Sequence, residues 1–335
     1  MKRFLSLLLS LLLFSLCACG TSSAPAEQAG QTFTDDLGRQ VILPEKIDKI
    51  AVTGLNAQLV VFALCPEKMV GVTEPIPLPG YEDLPVLGQL YGGKGELNPE
   101  SLLQSGTQVI IDVGEQKDSM AEELVTLQEA TGIPFVHIDA SLATYAQAFR
   151  TLGAMLGLSD RAEALAQYCE NAYDTACALA DSVEKVRAVY VTGDAGQNVI
   201  AKGSYQSEVM DLLSDNAAVL DSPSAKGTGN AINMEQLMLW DPEVIIFSPD
   251  SVYDQVADDP AWQTLTAVKM GRYHEVPSLP YNWMGFPPGV QRYLGLLWLG
   301  KVLYPEAADY DLNAEAAEFY ELFYHCQAAD INFPF

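Results

Sequence analysis

LNPESLLQSGTQVIID at 97–112 and INMEQLMLWDPEVIIF at 232–247 align with each other without a gap. Identities fall at Asn98/Asn233, Glu100/Glu235, Leu102/Leu237, Val109/Val244, Ile110/Ile245 and Ile111/Ile246, each pair offset by 135 positions. Both copies spell a capped short helix, a turn and a buried strand. Asn98 is a good cap and Pro99 suits the first helical position, where its missing N–H costs nothing. The two halves of the chain therefore read as variants of one α/β unit. Two such lobes leave a cleft between them, a common place for a ligand.

The same alternation extends outward from each copy. Thr32 to Leu43 reads as a hairpin turning at Asp36-Leu37-Gly38. Strands follow at 50–52, 69–72, 109–111 and 135–138, with helices at 57–64, from 98 and at 122–131. Alternating strands and helices predict a parallel sheet covered on both faces. From Thr144 to Ser182 the pattern is helical, broken only by Gly157-Leu158-Ser159-Asp160. Its second piece, about 33 Å long at ~1.5 Å per residue, reads as a rigid strut between the halves. Alternation then resumes with strands at 188–191, 244–246 and 272–276, short helices at 207–213 and 235–239, and a final long helix from Val290. The expected fold class is α/β, two Rossmann-like lobes with parallel-rich sheets joined by one long helix. The boundaries read as an N-terminal lobe at 32–157, the bridging helix at 158–183 and a C-terminal lobe at 184–335.

The N-terminus addresses the chain to export. Lys2 and Arg3 precede an apolar run from Phe4 to Leu16, the layout of a secretory signal. Thirteen residues reach only about 20 Å, short of a ~30 Å hydrocarbon core. Leu16-Cys17-Ala18-Cys19 resembles a bacterial lipobox, with Cys19 as the acylated (palmitate-bearing) new N-terminus. Residues 1–18 then form the signal peptide, and 19–31, rich in Ser, Ala, Gly and Gln, the lipidated Cys and its flexible tether. The expected location is the outer face of the cytoplasmic membrane, held by lipid alone. Enough chain remains for two ordinary domains. Its formal net charge, −26 before Lys2 and Arg3 are lost, repels phosphate backbones and argues against nucleic acid. Cys65, Cys169, Cys177 and Cys326 form no C-x-x-C pair and read as buried free thiols.

The chain resembles the periplasmic-binding-protein family that serves ABC importers of iron siderophores, haem and cobalamin. The carriers are Thr34-Asp35-Asp36-Leu37-Gly38-Arg39, Val70-Gly71-Val72, both repeat copies, and the stretch YNWMGFPPGVQRYLGLLWL at 281–299. The resemblance covers nearly all of 32–335 and implies two lobes on a single long helix, a stiff hinge and a ligand held in a shallow cleft. It also implies that Glu100 and Glu235, one per lobe, dock on arginines of a permease dimer served by ATPase subunits. A carboxylate in a first helical turn suits the helix dipole and projects into solvent. Ligand residues implied by the resemblance are Asn56, Tyr91 and Glu115 on the first lobe and Lys202 and Tyr205 on the second. Tyr281, Trp283 and Met284 stand in a loop fixed by Pro280 and Pro287-Pro288 and read as flat apolar walls for a ligand. Arg292, one turn into the last helix, is placed to meet an anionic chelate.

The solute expected from this is a chelated metal, a ferric siderophore first, with haem, cobalamin or a molybdate-type oxyanion as alternatives. The carrier is expected to act as a monomer without a cofactor of its own. Catalytic patterns are incomplete. Gly88 to Gly95 nearly spells a phosphate loop, but Gly95 stands where Ser or Thr must hold magnesium. His274-Glu275 begins a zinc-protease motif whose second His is replaced by Ser278. With only His137, His274 and His325, a polyhistidine metal site needs all three to converge, so no direct metal ligand is expected. A surface adhesin or scaffold lipoprotein is the alternative of another class, and it leaves the two-lobe repeat unexplained.

Overall fold

The computed structural model describes residues 30–328 apart from 79, 82 and 92–94. The export signal, Cys19 and most of the tether lie outside the described residues, as do Gly92, Gly93 and Lys94 of the near phosphate loop. Strands β1 (Gly30–Thr34) and β2 (Gln40–Pro44) form the antiparallel hairpin expected there. Asp35 fixes its turn, accepting from Arg39 N at 2.9 Å and pairing with the Arg39 guanidinium at 2.6 Å. Strand β3 (Ile50–Val52) runs directly into helix α1 (Leu55–Leu64). Helix α2 (Pro99–Ser105) and strand β4 (Val109–Gly114) are the first repeat copy, and Asn98 caps α2 by accepting from Glu100 N and Ser101 N. Helix α3 (Met120–Thr131) and strand β5 (Phe135–Asp139) complete a parallel sheet in the order β3-β4-β5. The expected strand at 69–72 is reduced to single bridges, Ile50 with Met69 and Val72 with Val86.

Helices α4 (Tyr145–Leu156) and α5 (Ser159–Ser182) meet at a corner made by Gly157 in the left-handed conformation. Their axes approach closely because Gly153 has no side chain. A Cβ there would stand 2.2 Å from Ala162 Cβ. In an isolated helix Gly153→Ala should gain up to about 1 kcal/mol of propensity. Here the rigid clash should outweigh that gain, and the melting midpoint should fall by an amount worth roughly 1–3 kcal/mol.

The second half contains β6 (Arg187–Thr192), β7 (Asn198–Val199), α6 (Glu208–Leu213), β8 (Asp215–Asn216), β9 (Asn230–Ala231), α7 (Met234–Trp240) and β10 (Val244–Phe247). One-turn helices α8 (Tyr253–Val256) and α9 (Thr266–Lys269) lead to β11 (Tyr273–Glu275). The sheet runs β11-β10-β6-β7-β9, with β8 also on β6. β11, β10, β6 and β8 are parallel, whereas β7 and β9 form an antiparallel extension too short to be read from sequence periodicity. The single long helix expected from Val290 is two, α10 (Arg292–Leu303) and α11 (Leu312–Tyr324). Pro305 cannot donate into a helix, and Asp311 starts the second by accepting from Asn313 N at 3.0 Å.

Helix α5 packs against α1, α4, α6, α10 and α11, while α11 also lies on α1. A single apolar cluster runs through these helices and the inner sheet faces of both halves. Aromatic rings join it: Phe319 stacks on Phe323 with centroids 4.3 Å apart, and Phe149 and Tyr168 meet Phe323 edge-on. Cys65 and Cys169 are buried and Cys177 and Cys326 half-buried, none joined in a disulfide among the described residues, with burial pushing the Cys65 thiol up to about 12. Among the described residues no helix is long and apolar enough to cross a membrane.

Candidate functional site

Met69 pairs with one edge of β3 and β4 with the other, so the chain leaves the carboxyl ends of β3 and β4 in opposite directions. Open α/β sheets bind ligands at such a switch point. A cavity of about 520 Å³ lies there, walled on one side by Gly54–Ala57, Tyr91 and Asp112–Glu115 and on the other by Tyr205, Gln206, Lys226, Gly227 and Phe286–Pro288. It therefore draws on both halves of the chain. Helix α1 begins at its floor, and its N-cap Gly54 is extended and has no side chain to satisfy the first amides. Uncapped helical N–H groups attract negative charge.

Asn56 is held rigidly. Its Nδ2 donates to Val113 O at 3.1 Å, and its Oδ1 lies 2.7 Å from the hydroxyl of Tyr145, which burial holds protonated far above the usual tyrosine range. Tyr91 donates to Glu123 at 2.9 Å, and Lys117 Nζ stands 4.3 Å above its ring. Burial and that carboxylate raise the Tyr91 hydroxyl. Beneath the floor, Asp112 accepts from Thr53 and meets His137 Nδ1 at 2.6 Å. His137 is wholly buried, and among the described residues its other nitrogen has no hydrogen-bond partner. On the opposite wall Tyr205 donates to Ala140 O at 2.6 Å, and Gln206 donates to Ala225 O at 2.7 Å. Lys117 and Lys226 are exposed, and among the described residues neither pairs with a carboxylate.

Asn56, Tyr91, Glu115 and Tyr205 thus converge on one cavity. Five other residues expected at the ligand do not line it. Trp283 and Met284 are 0% and 1% exposed, packed into the core, because their loop lies flat on α10. Gly295 permits that approach, since a Cβ there would stand 2.1 Å from Trp283 O. Tyr281 packs toward Tyr324. Lys202 points to Asp215, with Nζ 3.7 Å from its carboxylate, outside the cavity lining. Arg292 is fully buried one layer below. Its guanidinium lies 4.8 Å under the Tyr205 ring, donating to Tyr205 O at 2.8 Å and pairing with Glu208 at 2.7 Å. It supports a cavity wall instead of meeting a chelate.

Sequence reasoning missed Lys117, Lys226, Gln206 and Phe286. Phe286 stands within the aromatic loop already singled out, and its 51% exposure in a loop of buried neighbours is what separates it from Trp283. Lys226 is the lone cation in SPSAKGTG at 222–229. Among the described residues no three His, Cys, Asp or Glu side chains are grouped to hold a metal ion. Glu100 and Glu235 are exposed in the first turns of α2 and α7.

A two-half α/β chain with its cavity between sheet ends is an arrangement that solute-binding proteins use. The chain belongs to the periplasmic binding protein family, whose model matches residues 76–279. It is a periplasmic-type binding protein of the ABC importers, and such proteins act outside the cytoplasm. One curated relative is the molybdate-binding protein MolA of Haemophilus influenzae, 28% identical over 146 residues. That alignment takes 42% of this chain and spans 39% of the relative's length. Among solved structures, an ABC transporter solute-binding protein from Sulfurospirillum deleyianum superposes with a TM-score of 0.80 at 26% identity, covering 88% of this chain and 95% of that one. Molybdate-bound MolA superposes with a TM-score of 0.70 at 20% identity, over 89% and 98% of the two chains.

Proposed function

We propose that the protein captures an anionic metal chelate, a ferric siderophore first among them, and delivers it to an ABC permease. The observation that carries this reading is the cavity shared by both halves, with unpaired Lys117 and Lys226 at its rim and Tyr91, Tyr205 and Phe286 in its walls. Glu115 lines the same cavity, but in a chain so short of cations two ammonium groups outside every ion pair of the described residues favour a negatively charged solute. The aromatic rings supply apolar faces for an organic ligand. A volume of about 520 Å³ suits a drug-sized molecule better than a bare four-oxygen anion. In this reading the lobes at 32–157 and 184–335 are tied by α5, Glu100 and Glu235 dock on the permease, and acylated Cys19 holds a monomeric carrier at the membrane.

A second reading, a molybdate-type oxyanion, is favoured by the likeness to MolA and by the uncapped start of α1. Calorimetric titration of the purified protein with a ferric tris-catecholate, ferric citrate, haem, cobalamin and molybdate separates the two. The expected result is saturable binding of one ferric chelate. Lys117→Ala and Lys226→Ala should each weaken it about tenfold, or ~1.4 kcal/mol, without moving the melting midpoint. Binding of molybdate alone, at the same stoichiometry, transfers the site to the second reading. Silence across the panel removes both.

A further inference from the structure

The second sheet repeats the opening of the first. β8 lies on one edge of β6 and β10 on the other, so the carboxyl ends of β6 and β10 part as those of β3 and β4 do. Under the 135-position offset Ser248 occupies the place of Val113, and Asp250 that of Glu115. A second cavity of about 510 Å³ opens at this point and is lined only by residues of the second half. It meets the first cavity along one wall, since Lys226, Gly227 and Phe286 line both. The Phe286 ring lies directly on Gly227, where a Cβ would stand 2.4 Å from ring Cδ2. Half-exposed and seated on a glycine, that ring is the partition between the two chambers.

The chambers differ in chemistry. The first has the start of α1 at its floor, whereas the chain leaves β6 into β7, so no helix begins at the corresponding place in the second. Its polar residues include Tyr190, Thr192, Ser248 and Ser278 with their hydroxyls, the amide of Asn282, the carboxylate of Asp250 and the ammonium of Lys226. Ser248 donates to Asp250, and Asn282 Nδ2 donates to the Tyr190 oxygen at 3.0 Å. Carboxylate and hydroxyl lone pairs therefore face the chamber beside the Lys226 ammonium and the Ser278 hydroxyl, with Phe286 as an aromatic face. That combination suits a ring with several hydroxyl donors and an apolar side.

We propose that this second chamber is a subsite for a polyhydroxylated, sugar-like group, so that the ligand is bipartite: an anionic head in the first chamber and a hydroxyl-bearing arm past Phe286 in the second. The assignment of the head rests on the reading above, whereas the subsite itself does not. Methyl β-glucoside is the probe for the second chamber and a ferric tris-catecholate for the first, each titrated into the full-length protein and followed by ligand-observed NMR and calorimetry. Glucoside should bind weakly and saturably, and Ser278→Trp, which fills the chamber from its rim, should reduce that binding at least tenfold. Asp250→Asn, which leaves the backbone undisturbed, should weaken it severalfold. Both variants should leave catecholate binding unchanged, and Lys117→Ala should leave glucoside binding unchanged. Absence of saturable glucoside binding overturns the subsite, as does glucoside binding that falls in Lys117→Ala and survives both second-chamber variants. Glucoside binding with the expected pattern and no catecholate binding keeps the subsite and removes the chelate reading alone.

Discussion

A chain carrying Glu100→Ala and Glu235→Ala together is expected to bind its solute with unchanged affinity and to lose uptake almost completely. Both carboxylates are exposed and lie outside the cavity lining. Neither carries much of the fold, because the Asn98 and Asn233 side chains cap the two helices, and a first-turn carboxylate adds only about 0.3–1 kcal/mol. What the substitutions remove is a matched pair. The helices that bear them are equivalent under the internal repeat, so a partner of two-fold symmetry meets the same group twice. Each glutamate is also followed one turn later by an exposed apolar residue, Leu103 on α2 and Met238 on α7, 55% and 50% exposed. An acidic group beside an apolar knob, presented on both lobes, suits a basic and partly apolar docking surface. Losing one partner of a hydrogen-bonded interfacial charge pair costs about 2–5 kcal/mol, so the double variant should dock at least a thousandfold more weakly. Solute uptake by cells lacking the chain and complemented with each variant reads the effect, with calorimetry on the same proteins as the binding control. Wild-type uptake by the double variant excludes these two residues from docking. Reduced affinity for the solute places them in a binding role instead.

The α/β alternation, the hairpin at 30–44, the repeat and the corner between α4 and α5 were all legible, because each rests on local periodicity, a cap or a glycine. Of the residues that the resemblance implied at the ligand, Asn56, Tyr91, Glu115 and Tyr205 line the cavity. Asn56 and Glu115 follow β3 and β4, and such positions face the switch-point opening whatever else the chain does. Trp283 and Arg292 show where that reasoning stops. Aromatics in a proline-rich loop read equally well as walls of a cleft or as a plug for the core, and Gly295, twelve residues later, decides for the core by letting the loop backbone settle on α10. Arg292 reads as a cation at a helix start. Its burial depends on Glu208 and Tyr205, more than eighty residues away in sequence. Lys117 and Lys226 come together beside one cavity only once the two halves of the chain meet around it, which no pattern along the chain encodes.

Glu208→Ala should be among the most destabilising single substitutions in the protein. The Arg292 side chain is fully buried, and among the described residues Glu208 is its only carboxylate partner, at 2.7 Å. The same carboxylate accepts from Leu142 N at 3.2 Å. Leu142 O in turn accepts from Tyr293 at 2.7 Å, and Tyr205 donates to Ala140 O nearby. The segment 140–142 of the first half is thus pinned by residues of the second, and one ion pair sits at the centre of the clasp. Removing a single member leaves a buried guanidinium uncompensated, at a cost of about 3–5 kcal/mol. For a chain of this size that corresponds to a fall of roughly 4–7 °C in the melting midpoint. Replacing both members is expected to be milder. In Glu208→Ala with Arg292→Met no charge is left in the core, and apolar replacement of a buried pair is often neutral. The double variant should therefore melt above Glu208→Ala, a positive coupling that a double-mutant cycle reads directly. Its solute affinity should still be reduced, because the Tyr205 ring that walls the cavity rests on the Arg292 guanidinium. Additive losses in the cycle, or a Glu208→Ala midpoint within a degree of wild type, mean that water reaches Arg292 and that the clasp is held by Tyr205 and Tyr293 alone.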